Sequence, residues 1–270
     1  MKVVSPNGGA MGVGGEWLIV VFIMPAPIAL FVYNRLLHFQ QTVESLLQNK
    51  EADQSDLFVF SDGPKNEQDS RKVSEVRKFA HEIKGFKNIQ IIEKESNQGL
   101  ANSIIDGVTT VLTQYNTVIV LEDDMVSSPY FLTYMNKALS LYENEENVIS
   151  IHGYVYPVKK QLPEIFFLKG ADCWGWATWR RGWKIFDSDG KKLYEELERK
   201  DLLREFDFGN AYPYTKMLLK QIAGKNNSWA IRWYASAFLE DKLTLYPGCS
   251  LVQNIGMDGS GTHSPATNYY

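Results

Sequence analysis

The sequence predicts an α/β fold: a mostly parallel sheet flanked by helices, followed by a C-terminal subregion of different character. Three observations carry this reading. Strand-like runs at residues 27–34, 56–62, 88–95 and 117–124 alternate with stretches of helical periodicity. The first run, PIALFVYN, is nearly all apolar, as a parallel strand buried on both faces should be. All four runs end in polar groups: Asn34 and Arg35, then Asp62, then Asn97, then Glu122, Asp123 and Asp124. In a parallel sheet the carboxyl ends of the strands share one edge, and ligands bind there.

The elements follow in order. After the first strand, Leu36, Phe39, Val43, Leu46 and Leu47 mark one face of a helix over 38–48. The second strand, DLFVFSD, closes in a DGPK turn, and an amphipathic helix spans 69–84. Strand NIQIIEKE and a helix over 99–114 lead to the fourth strand, TVIVLEDD. This β-α-β-α-β-α-β order calls for right-handed crossovers. Beyond it come a helix over 129–143, a strand over 148–154 and a segment, 172–183, that holds four of the seven tryptophans. Helices over 191–206, 214–223 and 228–239, a strand over 243–248 and a Gly-rich polar tail complete the chain. Residues 26–150 read as a ligand-binding half and 151–270 as the second half of the same domain. Residues 1–25 read as a poorly ordered extension.

Composition excludes several classes. With 28 Lys and Arg against 32 Asp and Glu there is no concentrated basic face, so nucleic acid is not an expected partner. Two cysteines, Cys173 and Cys249, make neither a disulfide framework nor a thiolate zinc site, which points to a reducing, cytoplasmic compartment. The apolar stretches at 17–24 and 28–33 are interrupted by Pro25 and Pro27 and fall short of the ~20 residues of a spanning helix. Peripheral association with the inner face of a membrane is the alternative they leave.

The sharpest chemical signal is VIVLEDDM, residues 118–125. A buried strand ending in three carboxylates is costly unless positive charge is bound there. Mg²⁺ or Mn²⁺, which take oxygen ligands and keep positions open for substrate phosphates, would supply it. The competing reading is a solvated acidic turn or a helix cap. A second cluster is DCWGW. Trp174 and Trp176 lie two apart, so an extended backbone would face both the same way, toward a sugar, with Gly175 allowing close approach. Trp179 and Trp183 read as core.

Together, FVYNR, FSDGP, NQGLANS, LEDDMVSSPYFL, ADCWGWATWRRGW and NIGMDGSGTH resemble the GT-A (Rossmann-like) glycosyltransferases. Within them the chain is similar to family 2 sugar transferases with an EDD, DXD-type motif and to the N-acetylglucosaminyltransferase I type, over residues 27–264. The resemblance implies a hexosyl or N-acetylhexosaminyl transfer from a nucleotide-sugar donor, a UDP-sugar first, to a glycan or lipid-linked saccharide acceptor, in polysaccharide biosynthesis. It also implies inversion at the sugar. Asn34, Arg35, Asp62, Asn97, Gly99 and Asn102 would then line the nucleotide site, and Glu122 and Asp123 would hold the donor. Asp124 would ligate the metal, with His263 reaching back from the tail. Trp174, Trp176, Trp229 and Arg232 would form the acceptor side, although for Arg232 a structural ion pair weighs equally.

The chain departs from the pattern at SWAIRW, residues 228–233, where the related transferases carry an acid and this sequence has none. The general base is therefore assigned to Asp172, beside the tryptophans, with Glu240 and Asp258 as alternates. Two rival functions stand: a catalytically inactive, carbohydrate-binding relative and a sugar nucleotidyltransferase. The second wants a Gly-rich phosphate loop after the first strand, which FVYNRLLHF lacks; the absence of GxGxxG disfavours a dehydrogenase.

Overall fold

The computed structural model describes residues 25–259. The expected N-terminal extension and His263 lie outside the described residues. The first half follows the predicted order: β1 (Ile28–Val32), α1 (Leu36–Leu47), β2 (Asp56–Ser61), α2 (Glu67–Glu82), β3 (Asn88–Glu93), α3 (Leu100–Gln114) and β4 (Thr117–Glu122). A short β5 (Met125–Ser127), α4 (Phe131–Leu141), β6 (Val148–His152), β7 (Ile165–Lys169), β8 (Trp176–Trp179) and the one-turn α5 (Arg180–Trp183) come next. The remainder is α6 (Gly190–Arg199), α7 (Leu203–Phe206), α8 (Tyr214–Ile222), α9 (Trp229–Leu239), β9 (Leu243–Pro247) and β10 (Val252–Asn254).

Eight of these strands form one sheet in the order β3-β2-β1-β4-β8-β6-β9-β7, while β5 and β10 pair separately and antiparallel. The strands β3, β2, β1 and β4 are mutually parallel, and β8 enters antiparallel between β4 and β6. The strand period of two explains why β1 is apolar throughout. Ile28, Leu30 and Val32 pack toward α1 and α4 on one face, and Ala29 and Phe31 toward α3 on the other.

Helix α9 is sandwiched. Trp229, Trp233 and Ala237 join the core beneath the sheet, while Ile231, Tyr234, Ala235 and Phe238 join a third cluster with α6, α7 and α8. Double-sided burial is the physical reason SWAIRW is apolar. Ser228 caps the helix by accepting from the Ile231 amide at 3.2 Å.

Some local features were not expected from the sequence. β7 is an edge strand whose half-exposed residues give only a weak pattern. The helix expected over 191–206 is broken: Asp201 takes φ +55°, in the left-handed region, and separates α6 from α7. No helix among the described residues is long and apolar enough to cross a membrane.

Candidate active site

Strand β4 delivers Glu122 to the carboxyl edge of the sheet, and Asp123 and Asp124 form the turn into β5. Two distant elements hold this turn. The Thr42 hydroxyl of α1 donates to the Asp123 carbonyl at 2.8 Å, and the Ile255 amide donates to the Asp124 carbonyl at 2.9 Å. The segment after β10 thus lies directly over the acidic turn. Gly256 is required there, because a Cβ would sit 2.0 Å from Asp124 Oδ2.

The positive charge that the sequence demanded comes in part from Arg35, at the start of α1. Its Nη2 bonds Asp123 Oδ1 and, at 2.8 Å, Asp124 Oδ2. Burial alone would lower the guanidinium pKa, but the two carboxylates outweigh it and raise it. One cation does not balance three acids. Burial, then Asp124 and Asp123, push the Glu122 carboxyl up to about 8 despite Arg35. Burial likewise raises Asp123, to about 6, against the pull of Arg35. Asp124 Oδ1 is buried and accepts no hydrogen bond. Among the described residues, no group of three or more His, Cys, Asp or Glu side chains is placed to hold a metal ion.

A cavity of about 720 Å³ opens from this edge. Asn34, Arg35, Asp62, Lys65, Asn97 and Gly99 line it, as do Glu122, Asp123 and Asp124. Trp174, Trp229 and residues of α8 also line it.

Asp62 is engaged internally. Its Oδ1 accepts from the Gly63 and Gln98 amides and its Oδ2 from Asn97 Nδ2 and the Gly99 amide, all at 2.8–3.0 Å. With four donors on its two oxygens, Asp62 clamps the 97–99 loop to β2, and Gly99, at φ +78°, turns that loop into α3. Asn34 Nδ2 and the Tyr33 hydroxyl both donate to Asp69 at 2.9 Å, joining the end of β1 to α2.

Three expected site residues lie elsewhere. Asn102 donates to the Gln98 carbonyl at 2.9 Å and does not line the cavity. Trp176 is 1% exposed, stacked at 5.4 Å on Trp229 and packed against Trp183 and Trp233. The expected common orientation of Trp174 and Trp176 fails because Gly175 adopts φ +59°, which breaks the strand alternation. Gly175 itself packs against Val252, Phe131 and Gly153, not against the cavity. Arg232 is also buried, donating to the carbonyls of Ser228 and Ser188 and to Asn227 Oδ1. Its role is to hold the turn before α9.

Asp172 does not line the cavity either, although its neighbours Cys173 and Trp174 do. Its Oδ1 accepts from the Cys173 amide at 2.8 Å, and its Oδ2 accepts from the Tyr246 hydroxyl at 3.4 Å. His152 is fully buried beside it, with Nδ1 3.8 Å from Asp172 Oδ2. The His152 Nε2 accepts from the Trp174 amide at 3.0 Å, so the neutral ring carries its proton on Nδ1, toward Asp172. Burial lowers the His152 pKa against the opposing pull of Asp172. Of the alternates, Glu240 ends α9 outside the cavity and Asp258 pairs with His38 at 3.2 Å.

Residues 28–184, more than half of the chain, match the sequence model of glycosyl transferase family 2. The chain belongs to this family. Its sheet, mostly parallel and flanked by helices, is the GT-A, Rossmann-like arrangement expected of a family 2 member. No curated protein matches the sequence. Among solved structures, the chain is similar to the mannosyltransferase PcManGT from Pyrobaculum calidifontis, solved with GDP-Man and Mn²⁺. The identity is 15% and the TM-score 0.35, over 47% of this chain and 36% of that one. It is also similar to S. aureus TarS 1–349 in complex with UDP-GlcNAc, at 14% identity and a TM-score of 0.30, over 46% and 33% of the two chains. A second structure of TarS 1–349 gives 11%, 0.35, 65% and 49%. The chain therefore spans less than half of each of these structures.

Within this family 2 fold, the sequence reading missed several lining residues. Ser103, in NQGLANS, has a buried hydroxyl without a partner at the cavity wall. Lys216 and Lys220 line the cavity from α8, and their four-residue spacing was the available signal.

Proposed function

We propose that this chain is a metal-dependent glycosyltransferase that moves a sugar from a nucleotide-sugar, a UDP-sugar first, to a glycan or lipid-linked acceptor, with inversion. The observation that carries the reading is the acidic strand end. Its three carboxylates are under-compensated by Arg35, and Asp124 Oδ1 is buried without a partner at the cavity. A hard divalent cation suits such a donor set, since Mg²⁺ and Mn²⁺ use one or two carboxylates and take the rest of their ligands from phosphates and water. Asp124 would hold it, with His263 from the tail. When bound, the cation offsets the charge that develops on the leaving diphosphate.

The chain's own residues then divide the work. The Asp62 clamp presents the 97–99 loop and the start of α3 to the nucleotide. Glu122 and Asp123 orient the donor sugar. Trp174 offers a broad apolar face to the acceptor saccharide. Asp172 is the proposed base, which requires its carboxylate to swing from Tyr246 to the cavity side, where it would take the proton from the attacking acceptor hydroxyl. The family 2 match supports a sugar transfer, and the donor we propose is a hexosyl or N-acetylhexosaminyl nucleotide.

Calorimetric titration of nucleoside diphosphates and nucleotide-sugars, each with and without Mn²⁺, tests the proposal. Tight binding of one nucleotide only with metal is expected. A folded protein that binds none of them would favour the inactive, carbohydrate-binding reading, kept open by the absence of an acid in SWAIRW.

A further inference from the structure

The cavity is bipolar. Its strand edge is acidic and partly neutralised from within by Arg35. Helix α8 lines it with Lys216 and Lys220, one helical turn apart on the same face and both exposed. Like charges at this spacing repel. No carboxylate among the described residues forms a salt bridge with either lysine, whereas Lys50, Lys169, Lys191 and Lys192 have such partners. The start of α9 (Ser228, Trp229 and Ala230) also lines the cavity and adds the positive end of its helix dipole. A neutral sugar needs none of this charge.

From this arrangement we propose that Lys216 and Lys220 form a phosphate-recognition wall, so that the acceptor brought to this cavity carries a phosphate group. The assignment to the acceptor rests on the glycosyltransferase reading; the presence of a phosphate site does not. The lysines line the cavity from α8, which packs on α6, α7 and α9 in the second half of the chain, whereas Asp62 and Asn97 line it from the segments after β2 and β3. A phosphate held there would fix the register of an acceptor whose sugar stacks on Trp174. The same chemistry could come from the donor's diphosphate, and the experiment separates the two sources.

The test is titration of inorganic phosphate into the full chain, followed by tryptophan fluorescence, since Trp174 and Trp229 line the cavity. It is run with and without saturating UDP and Mn²⁺, on the wild type, on K216Q/K220Q and on Lys225→Gln, a nearby exposed lysine outside the cavity. The proposal expects phosphate affinity to fall about tenfold or more in K216Q/K220Q, to hold in Lys225→Gln, and UDP–Mn²⁺ affinity to stay within about twofold. A parallel loss of UDP–Mn²⁺ affinity would keep the phosphate wall but assign it to the donor, overturning the acceptor claim. Phosphate binding that is absent in the wild type, equal in all three proteins, or equally weakened by Lys225→Gln overturns the wall itself. Failure of the wild type to bind UDP would sink the donor reading alone, because the phosphate titration without nucleotide still decides the wall. Circular dichroism of the variants verifies that these surface changes leave the fold intact.

Discussion

Arg35 donates to one oxygen of Asp124 at 2.8 Å while the other oxygen of that carboxylate is buried without a partner. The turn is therefore only partly compensated: one cation of the protein's own is in place, and one carboxylate oxygen is left without a partner. Removing Arg35 should expose that imbalance. Arg35→Gln is expected to lower stability by about 3 kcal/mol in EDTA, because two buried carboxylates lose their counter-charge. Mn²⁺ should restore part of it. Urea denaturation with and without Mn²⁺ measures both; a loss that Mn²⁺ leaves untouched would argue against a cation at this turn.

Asp124→Ala removes the orphan oxygen. Metal-dependent binding of nucleoside diphosphate should be abolished in calorimetry while the thermal transition persists. Unchanged Mn²⁺-dependent binding would remove Asp124 from the metal site.

Trp174 and Trp176 should separate cleanly, although only one residue divides them. Trp176→Ala opens a cavity among Trp183, Trp229 and Trp233 and should cost about 3–5 kcal/mol of stability. Trp174→Ala, at the half-buried cavity wall, should cost much less in unfolding but raise the acceptor KM. Equal destabilisation by the two variants would contradict the opposite placement imposed by Gly175.

Asp172→Asn should keep donor affinity and reduce transfer by about 10²-fold or more. Tyr246→Phe, which frees Asp172 Oδ2, should leave donor affinity unchanged and shift the pH profile of transfer. If Asp172→Asn transfers sugar at the normal rate, the base lies elsewhere and Glu122, which lines the cavity, becomes the first carboxylate to examine.

His152 gives the fold a defined acid sensitivity. Its folded-state pKa lies below the ordinary 6.5 because burial disfavours the imidazolium. The unfolded chain therefore binds a proton that the native state does not, once the pH drops below about 6.5. Stability from this group is complete above that pH and declines as the pH falls toward the lowered native value. His152 should thus lower the urea midpoint between pH 7.5 and pH 5.5 against Glu122 and Asp123, whose raised carboxyls take up protons in the native state and act the opposite way. His152→Gln should remove the falling component, so that its midpoint gains more, or loses less, on acidification than that of the wild type. An identical slope in both proteins would place the acid sensitivity on other groups.

Much of the fold was legible in the chain because it is written in local periodicity. Apolar runs and helical faces located β1 to β4 and α1 to α3, and polar residues at the strand ends marked the ligand edge. Lys216 and Lys220 were visible as an i, i+4 pair, but nothing in a single helix says that its charged face borders a cavity.

By itself, the sequence determined the α/β class, the alternating order, the acidic turn at Glu122 to Asp124 and the membership in family 2 that those motifs signalled. Tertiary structure alone decided what each polar group touches. Arg35 became the partner of Asp123 and Asp124 because the start of α1 and the end of β4 meet at one sheet edge, 88 residues apart in the chain. Asp62 became a loop clamp because β2 ends beside residues 97–99. Trp176 became core because one glycine at positive φ reversed a face. Periodicity is a property of neighbours along the chain. Charge compensation and hydrogen bonding depend on neighbours in space, and only the folded arrangement supplies those.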